Sequence, residues 1–186
     1  MLLFSDMENL NIFKIANDAI STIFLPNRHI SNILELNIDE LESRGIKNAL
    51  IDIDNTVVER KYSFPEWKMK KLIDTLKAKG WNLVLLSNNS SQHRVLKVAD
   101  FLELPCIYKS LKPFPWIYRK VFSDFKFSPE NTVCIGDQLF MDIVGGNLCG
   151  CTTVYVDPLG PENNIFRALY IWIERLILKL LERIVQ

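Results

Sequence analysis

A chain of 186 residues, 48% of them hydrophobic and 24% charged, has enough apolar material for one packed core and too much for global disorder. Its 22 basic residues balance its 22 acidic ones, so the formal net charge is zero. That balance argues against a dedicated nucleic-acid binder, because phosphate contacts demand a basic surplus.

The chain opens Met1-Leu2-Leu3-Phe4 but meets Asp6 and Glu8 at once, which fits neither a secretory signal nor an acid-poor transit peptide. No window of about 18 charge-free apolar residues exists, so no spanning helix is expected. Over 9–25, apolar side chains recur at helical spacing (Ile12, Phe13, Ala16, Ile20, Ile23, Phe24), and Pro26-Asn27-Arg28 breaks the pattern. Residues 30–45 read as one or two short helices, with Asn37 at a start and Gly45 at a left-handed stop. Residues 1–45 are therefore expected as helices packed on or beside a core.

The core itself is expected over 46–160. Asn48–Asp52 is a nearly continuous apolar strand, as when both faces are covered. Pro65 and Glu66 open a helix that carries Trp67, Met69, Ile73 and Leu76 and ends at Lys79-Gly80. Trp81–Leu86 is a second strand, followed by Ser87-Asn88-Asn89-Ser90. A helix runs from Gln92 to Phe101, capped by Ser90 or Ser91. Cys106–Tyr108 is a short strand before Lys112-Pro113, and 114–125 is helical. Thr132–Ile135 is a strand ending in Gly136-Asp137, a short helix covers Asp142–Asn147, and Thr152–Val156 is the final strand. The alternation predicts a doubly wound parallel α/β sheet of Rossmann-like form. Ligands bind such sheets beyond the carboxyl ends of the strands.

Polar residues cluster at those ends. Asp52, Asp54 and Thr56 follow the first strand, Ser87 and Asn88 the second, Lys112 the third, and Asp137 and Asp142 the fourth. Repelling carboxylates need a positive partner, and hard oxygen ligands suit Mg²⁺. A carboxylate can attack phosphorus, a lysine and amide donors can neutralise the phosphoryl oxygens, and a second acid can move the protons. His29 and His93 read as surface residues, and Asn89 and Ser90 as the start of the following helix. The four cysteines (Cys106, Cys134, Cys149, Cys151) lack the paired spacing of a zinc site and read as reduced thiols of a cytosol-like compartment.

Asp-x-Asp-x-Thr, Ser-Asn, Lys-Pro and Gly-Asp-x-x-x-x-Asp, in this order, resemble the four motifs of the haloacid dehalogenase (HAD) phosphatase superfamily. The resemblance covers roughly 48–158. Leu25-Pro26, Arg44-Gly45-Ile46-Lys47, Gly136-Asp137-Gln138 and Gly145-Gly146-Asn147 look like its YqeG-type branch, related to phosphatidylglycerophosphate phosphatases. The resemblance implies Asp52 as nucleophile and metal ligand, and Asp54 as general acid/base with its carbonyl on the metal. Ser87 and the Asn88 amide would hold the phosphoryl group. Lys112 would pair with phosphoryl oxygens and tether Asp52. Asp137 would ligate Mg²⁺ after the turn at Gly136, Asp142 would act through water or by orienting Lys112, and Thr56 would brace the loop. Asn55 stands where many relatives have Gly.

The spacings Asp52–Ser87 and Ser87–Lys112 leave no room for a cap domain, so an open site is expected. Residues 161–186 form an amphipathic helix. Phe166, Leu169, Ile173, Leu176, Ile177, Leu180 and Ile184 fill one half of its wheel, Arg167, Glu174, Arg175, Lys179, Glu182 and Arg183 the other, and Ile171, Trp172 and Leu178 spill into the polar half. It reads as an interfacial membrane helix, against packing on the domain or a homodimer contact. The expected activity is Mg²⁺-dependent phosphomonoester hydrolysis through an aspartyl-phosphate, at a lipid headgroup, with phosphatidylglycerophosphate as substrate by resemblance. The expected location is cytoplasmic, peripheral to a membrane. The alternatives are a phosphatase of a soluble nucleotide, sugar phosphate or phosphoprotein, and a non-catalytic binding module of the same fold.

Overall fold

Six parallel strands make one sheet in the order β1-β6-β5-β2-β3-β4: β1 (Arg28–Ile30), β2 (Asn48–Ile51), β3 (Asn82–Leu86), β4 (Cys106–Ile107), β5 (Thr132–Gly136) and β6 (Thr152–Val156). The structure is a computed structural model and describes residues 19–161 and 165–185. The helices are α1 (Ile38–Ser43), α2 (Trp67–Ala78), α3 (Gln92–Leu102), α4 (Pro115–Phe125), α5 (Gly145–Leu148) and α6 (Ile165–Val185). Residues 19–24 are also helical, and the part of the expected N-terminal helix before residue 19 lies outside the described residues. The doubly wound parallel architecture read from the sequence is the one observed.

Every residue of β2, β5 and β6 is buried, as continuous apolar runs require when helices cover both faces of a sheet. Alternation divides the core. Ala49 and Ile51 point into a cluster with Ile73 and Val95, while Leu50 points the other way, with Val84, Tyr118 and Val121. Asn37 Oδ1 accepts from the Glu40 amide at the start of α1, and Gly45 beyond its end sits at φ +79, where glycine has no Cβ to clash. No described helix is long and apolar enough to cross a membrane.

Two features differ from the sequence reading. First, residues 1–45 are not helical throughout, because Arg28–Ile30 adds the edge strand β1 beside β6, where a chain break alone was expected. Asn27 fixes that edge: its side-chain carbonyl accepts from the Thr153 amide at 2.8 Å. Asn147 Nδ2 donates to the carbonyls of Ile23 (2.8 Å) and Leu25 (2.9 Å), so this segment is knitted into the sheet. Second, α6 docks through the side of its wheel that carries Glu174. Ile171, Glu174 and Leu178 are buried, with Leu178 packing on Leu139, Ile143 and Tyr155. The expected apolar half faces outward: Leu169 is 54% exposed, Leu176 43% and Leu180 50%, with Trp172 beside them at 59%.

The chain runs outward from β2 through β3 to β4, then crosses back to β5 and continues to β6. Strand order therefore reverses between β2 and β5. The crevice for a ligand lies beyond their carboxyl ends.

Candidate active site

The backbone of β2 carries its ladder one residue further, with the Asp52 amide donating to the Ile135 carbonyl at 2.9 Å. The chain then turns sharply. The amides of Val57 and Val58 both donate to the Ile53 carbonyl, and the Asn55 amide donates to the Val58 carbonyl at 2.8 Å. Asn55 sits at φ +64, a left-handed conformation that favours glycine or asparagine, which accounts for its standing where a glycine would serve. Its Oδ1 accepts from the Arg60 amide at 3.1 Å. Thr56 is buried, but its hydroxyl has no hydrogen-bond partner. The main chain and Asn55 hold this loop; no Thr56 hydrogen bond contributes.

Asp52 ends buried beside a lysine from another strand. Lys112 Nζ lies 2.7 Å from Asp52 Oδ1 and 2.5 Å from Asp142 Oδ1. Burial pushes the Asp52 pKa up to about 6, with Asp142 and Asp54 adding repulsion and Lys112 opposing both. Burial also disfavours the Lys112 ammonium, yet Asp142 and Asp52 outweigh it and raise that pKa. Asp142 uses its second oxygen too, accepting from the Gln138 amide at 3.2 Å. It lies on a π-helical turn, Leu139–Val144. A Cβ on Gly136 would come within 2.2 Å of Asp142 Cγ, so only glycine lets this turn fold back on the strand end.

Asp137 is fully buried, and neither carboxylate oxygen has a hydrogen-bond partner. Burial, then Asp52 and Asp142, hold its pKa well above the carboxylate range. Asp52 Oδ2 is likewise buried without a hydrogen bond. Asp52, Asp137 and Asp142 each offer an oxygen within 4.8 Å of the others'. A buried cluster of hard donors with unused lone pairs fits a divalent cation, whose charge would reverse the upward shifts. Asp52 and Asp137 have oxygens to give; Asp142 already spends both of its own.

Ser87 closes β3 in a buried position, and its hydroxyl oxygen accepts from the Asn89 amide at 3.1 Å. The Asn88 side chain straps down the lysine loop. Its Oδ1 accepts from the Ser110 hydroxyl (2.7 Å) and the Lys112 amide (2.8 Å), and its Nδ2 donates to the Lys112 carbonyl (3.0 Å).

Asp54 is buried beside this group and has partners that the sequence reading did not foresee. Arg94, in the first turn of α3, places Nη2 2.8 Å from Asp54 Oδ1. Asn89 Nδ2 donates to Asp54 Oδ2 at 2.7 Å, and Arg60 Nη1 stands 3.4 Å from the same oxygen. Asn89 was expected to serve only the following helix. It does both, since its Oδ1 also accepts from the Ser91 amide at 2.8 Å. Ser91 occupies the cap position without a side-chain cap bond. Asp52, Asp137, Asp142 and Lys112 thus form one buried group, and Asn89 links Ser87 at the end of β3 to Asp54 beside it. His29 lies apart, against Asp157 and Tyr155.

Comparison with known proteins bears on the family and the fold. Residues 9–150 match the model of the haloacid dehalogenase-like hydrolases. The chain is 31% identical over 160 residues to a probable phosphatase, YqeG, of Bacillus subtilis, covering 86% of this chain and 92% of that one. The solved structure of a predicted HAD-like family hydrolase from Porphyromonas gingivalis superposes with a TM-score of 0.50 at 16% identity, covering 68% of this chain and 98% of that one. The cobalt-bound deoxy-D-mannose-octulosonate 8-phosphate phosphatase of Haemophilus influenzae also gives 0.50, at 17% identity, over 61% and 69% of the two chains. These likenesses to solved structures speak to the fold.

Proposed function

This chain belongs to the haloacid dehalogenase-like hydrolases and is a phosphatase of that family, and from that premise we propose that it is a Mg²⁺-dependent phosphomonoesterase acting on phosphatidylglycerophosphate at a membrane surface. The observation that carries the chemistry is the buried Asp52–Lys112–Asp142 group beside Asp137, whose two oxygens have no hydrogen-bond partner.

In this reading a carboxylate oxygen of Asp52 attacks phosphorus and the bond to the leaving alcohol breaks. The alcohol takes its proton from Asp54, which Asn89 and Arg94 orient. Asp54 then removes a proton from water, the water oxygen attacks the aspartyl-phosphate, and inorganic phosphate leaves with Asp52 restored. Lys112, the Ser87 hydroxyl and the Asn88 amide hold the phosphoryl oxygens, while Asp142 keeps Lys112 in line. Asp52, Asp137 and the Asp54 carbonyl would hold the cation, which supplies charge neutralisation on the phosphoryl group.

Two observations favour a lipid headgroup. Among the described residues no inserted domain stands over the crevice, so a bulky substrate can approach. The outward face of α6 combines exposed Leu169, Trp172, Leu176 and Leu180 with exposed Arg175, Lys179 and Arg183, while Glu174 points inward. An apolar strip with a basic flank and a tryptophan suits an anionic bilayer surface. Phosphate release from phosphatidylglycerophosphate in mixed micelles, nucleotides, sugar phosphates and phosphopeptides tests the proposal. The lipid is expected to be hydrolysed fastest, with turnover lost to chelator and restored by Mg²⁺. Faster turnover of a soluble ester refutes the substrate, and turnover in chelator refutes the metal.

A further inference from the structure

Between α6 and the paired strands β1 and β6 lies a cavity of about 590 Å³, within the size range of a small-ligand site. Its innermost wall is Tyr155, which is 1% exposed and stands opposite His29 in the register of the two strands. The two rings meet edge to face, with 5.0 Å between centroids. Leu178 of α6 packs on Tyr155, and Trp172 stands at the lip, 59% exposed. Neither the buried carboxylates of the crevice nor Lys112 lines this cavity.

The lining has the chemistry of an anion site. Arg175 and Lys179 are exposed cations one turn apart on α6, with about 5–6 Å between Cβ atoms, a span that one phosphate group bridges. Arg175 lies against the Tyr155 hydroxyl, where its charge opposes the upward push of burial on that phenol. The acid in the lining, Asp157, is engaged by His29 Nε2 at 3.1 Å. Glu174, the neighbour of Arg175 in the chain, turns inward to the Phe140 amide. Arg175 and Lys179 thus line the cavity while the nearby acids are committed elsewhere. A soluble anion would need no more than this pair. The lip at Trp172 instead continues into the outward apolar face of α6, where Leu169 and Leu180 are exposed.

We propose that this cavity is a second lipid site, which takes the headgroup phosphate of an anionic phospholipid of the bilayer, a phosphodiester that is bound and not hydrolysed. It deepens the membrane-surface reading of α6, from which the occupant follows, and does not depend on the phosphatase reading. The Arg175 guanidinium takes two phosphate oxygens in a fork, and Lys179 adds a point charge. The Trp172 ring lies at headgroup depth, its apolar body toward the acyl chains. His29 and Asp157 offer a donor and an acceptor to headgroup hydroxyls. One lipid then anchors the chain while the crevice stays open to another.

Titration with dihexanoyl phosphatidylglycerol below its micelle concentration tests the site, read by the indole resonance of Trp172 in the ¹⁵N-labelled full chain. The resonance is assigned by its loss in Trp172→Phe. Wild type is expected to give a saturable shift. Arg175→Gln and Lys179→Gln are each expected to raise Kd about tenfold or more, the scale of a lost charge-assisted hydrogen bond. Arg183→Gln, one turn beyond Lys179 and outside the lining, should leave it within about twofold. Dihexanoyl phosphatidylcholine, whose headgroup has no net charge, should bind more weakly. No saturable shift in wild type, or equal loss in Arg183→Gln, overturns the site. Inorganic phosphate binding as tightly as the lipid overturns the lipid. Should Arg175→Gln fail to fold, Lys179→Gln on the exposed surface still decides. No turnover is measured, so failure to hydrolyse any ester leaves the result standing. Flotation of wild type with anionic vesicles alongside a failed titration keeps the membrane reading and removes the site.

Discussion

Replacing Glu174 by glutamine isolates one buried charge on α6. Glu174 is 1% exposed, and its Oε1 accepts from the Phe140 amide at 2.8 Å, at the start of the turn that carries Asp142. Burial pushes its pKa from 4.5 to about 7, although that amide and the Tyr170 hydroxyl pull the other way. The folded state therefore keeps a proton that the unfolded state has already released. The stability tied to this group is full below the unfolded pKa and is lost as pH rises through about 7. A shift of that size corresponds to a ceiling of about 3 kcal/mol. Glutamine keeps the acceptor for Phe140 and is neutral at every pH. The variant should match wild type near pH 4 and exceed it by about 1–3 kcal/mol near pH 8. Urea unfolding of both proteins at several pH values measures the difference directly. A difference that does not change with pH, or wild type gaining on the variant as pH rises, refutes the reasoning. Glu174→Ala should instead fall below Glu174→Gln by about 1–3 kcal/mol at every pH, because it strands the Phe140 amide.

Gly136→Ala should displace Asp142 from Lys112, since its Cβ would lie 2.2 Å from Asp142 Cγ; an unfolding free energy lowered by about 1–3 kcal/mol and turnover reduced more than tenfold are expected. A variant with wild-type turnover removes the turn from the account. Asp52→Asn should abolish hydrolysis of p-nitrophenyl phosphate with an unchanged circular dichroism spectrum, and retention of most activity disqualifies Asp52 as nucleophile. Leu176→Asp with Leu180→Asp charges only the outward face of α6. It should weaken flotation with anionic liposomes while soluble-ester turnover stays near wild type, and unchanged flotation, or none in wild type, ends the membrane reading.

The sheet was legible because buried parallel strands are continuous apolar runs and their helices repeat at 3.6 residues, both local properties. β1 was not, because three residues at an edge have no period; its pairing with β6 is set by Asn27 and Thr153, 126 positions apart. The carboxylates and Lys112 were legible because each follows a strand, and strand ends converge. Arg60, Asn89 and Arg94 were hidden for the opposite reason. Whether long side chains on a loop and a first helical turn reach Asp54 depends on how those segments lie, which spacing does not encode. For α6 the wheel separated two faces but could not say which one docks. The orphan amide of Phe140 decides it by drawing a carboxylate inward.

The adjacency of β2 and β5 fixes when the protein can first act. Ile51 pairs with Ile135, so the strands that present Asp52 and Asp137 touch only after the intervening β3 and β4 units are threaded past them. Lys112 stands 60 residues after Asp52 and 30 before Asp142. A nascent chain emerging from the ribosome thus exposes its nucleophile long before it has a tether or a third carboxylate. The groups that would hold the cation, Asp52, Asp137 and the Asp54 carbonyl, come together only when β2 pairs with β5, so cation binding to this chain would report on that one pairing.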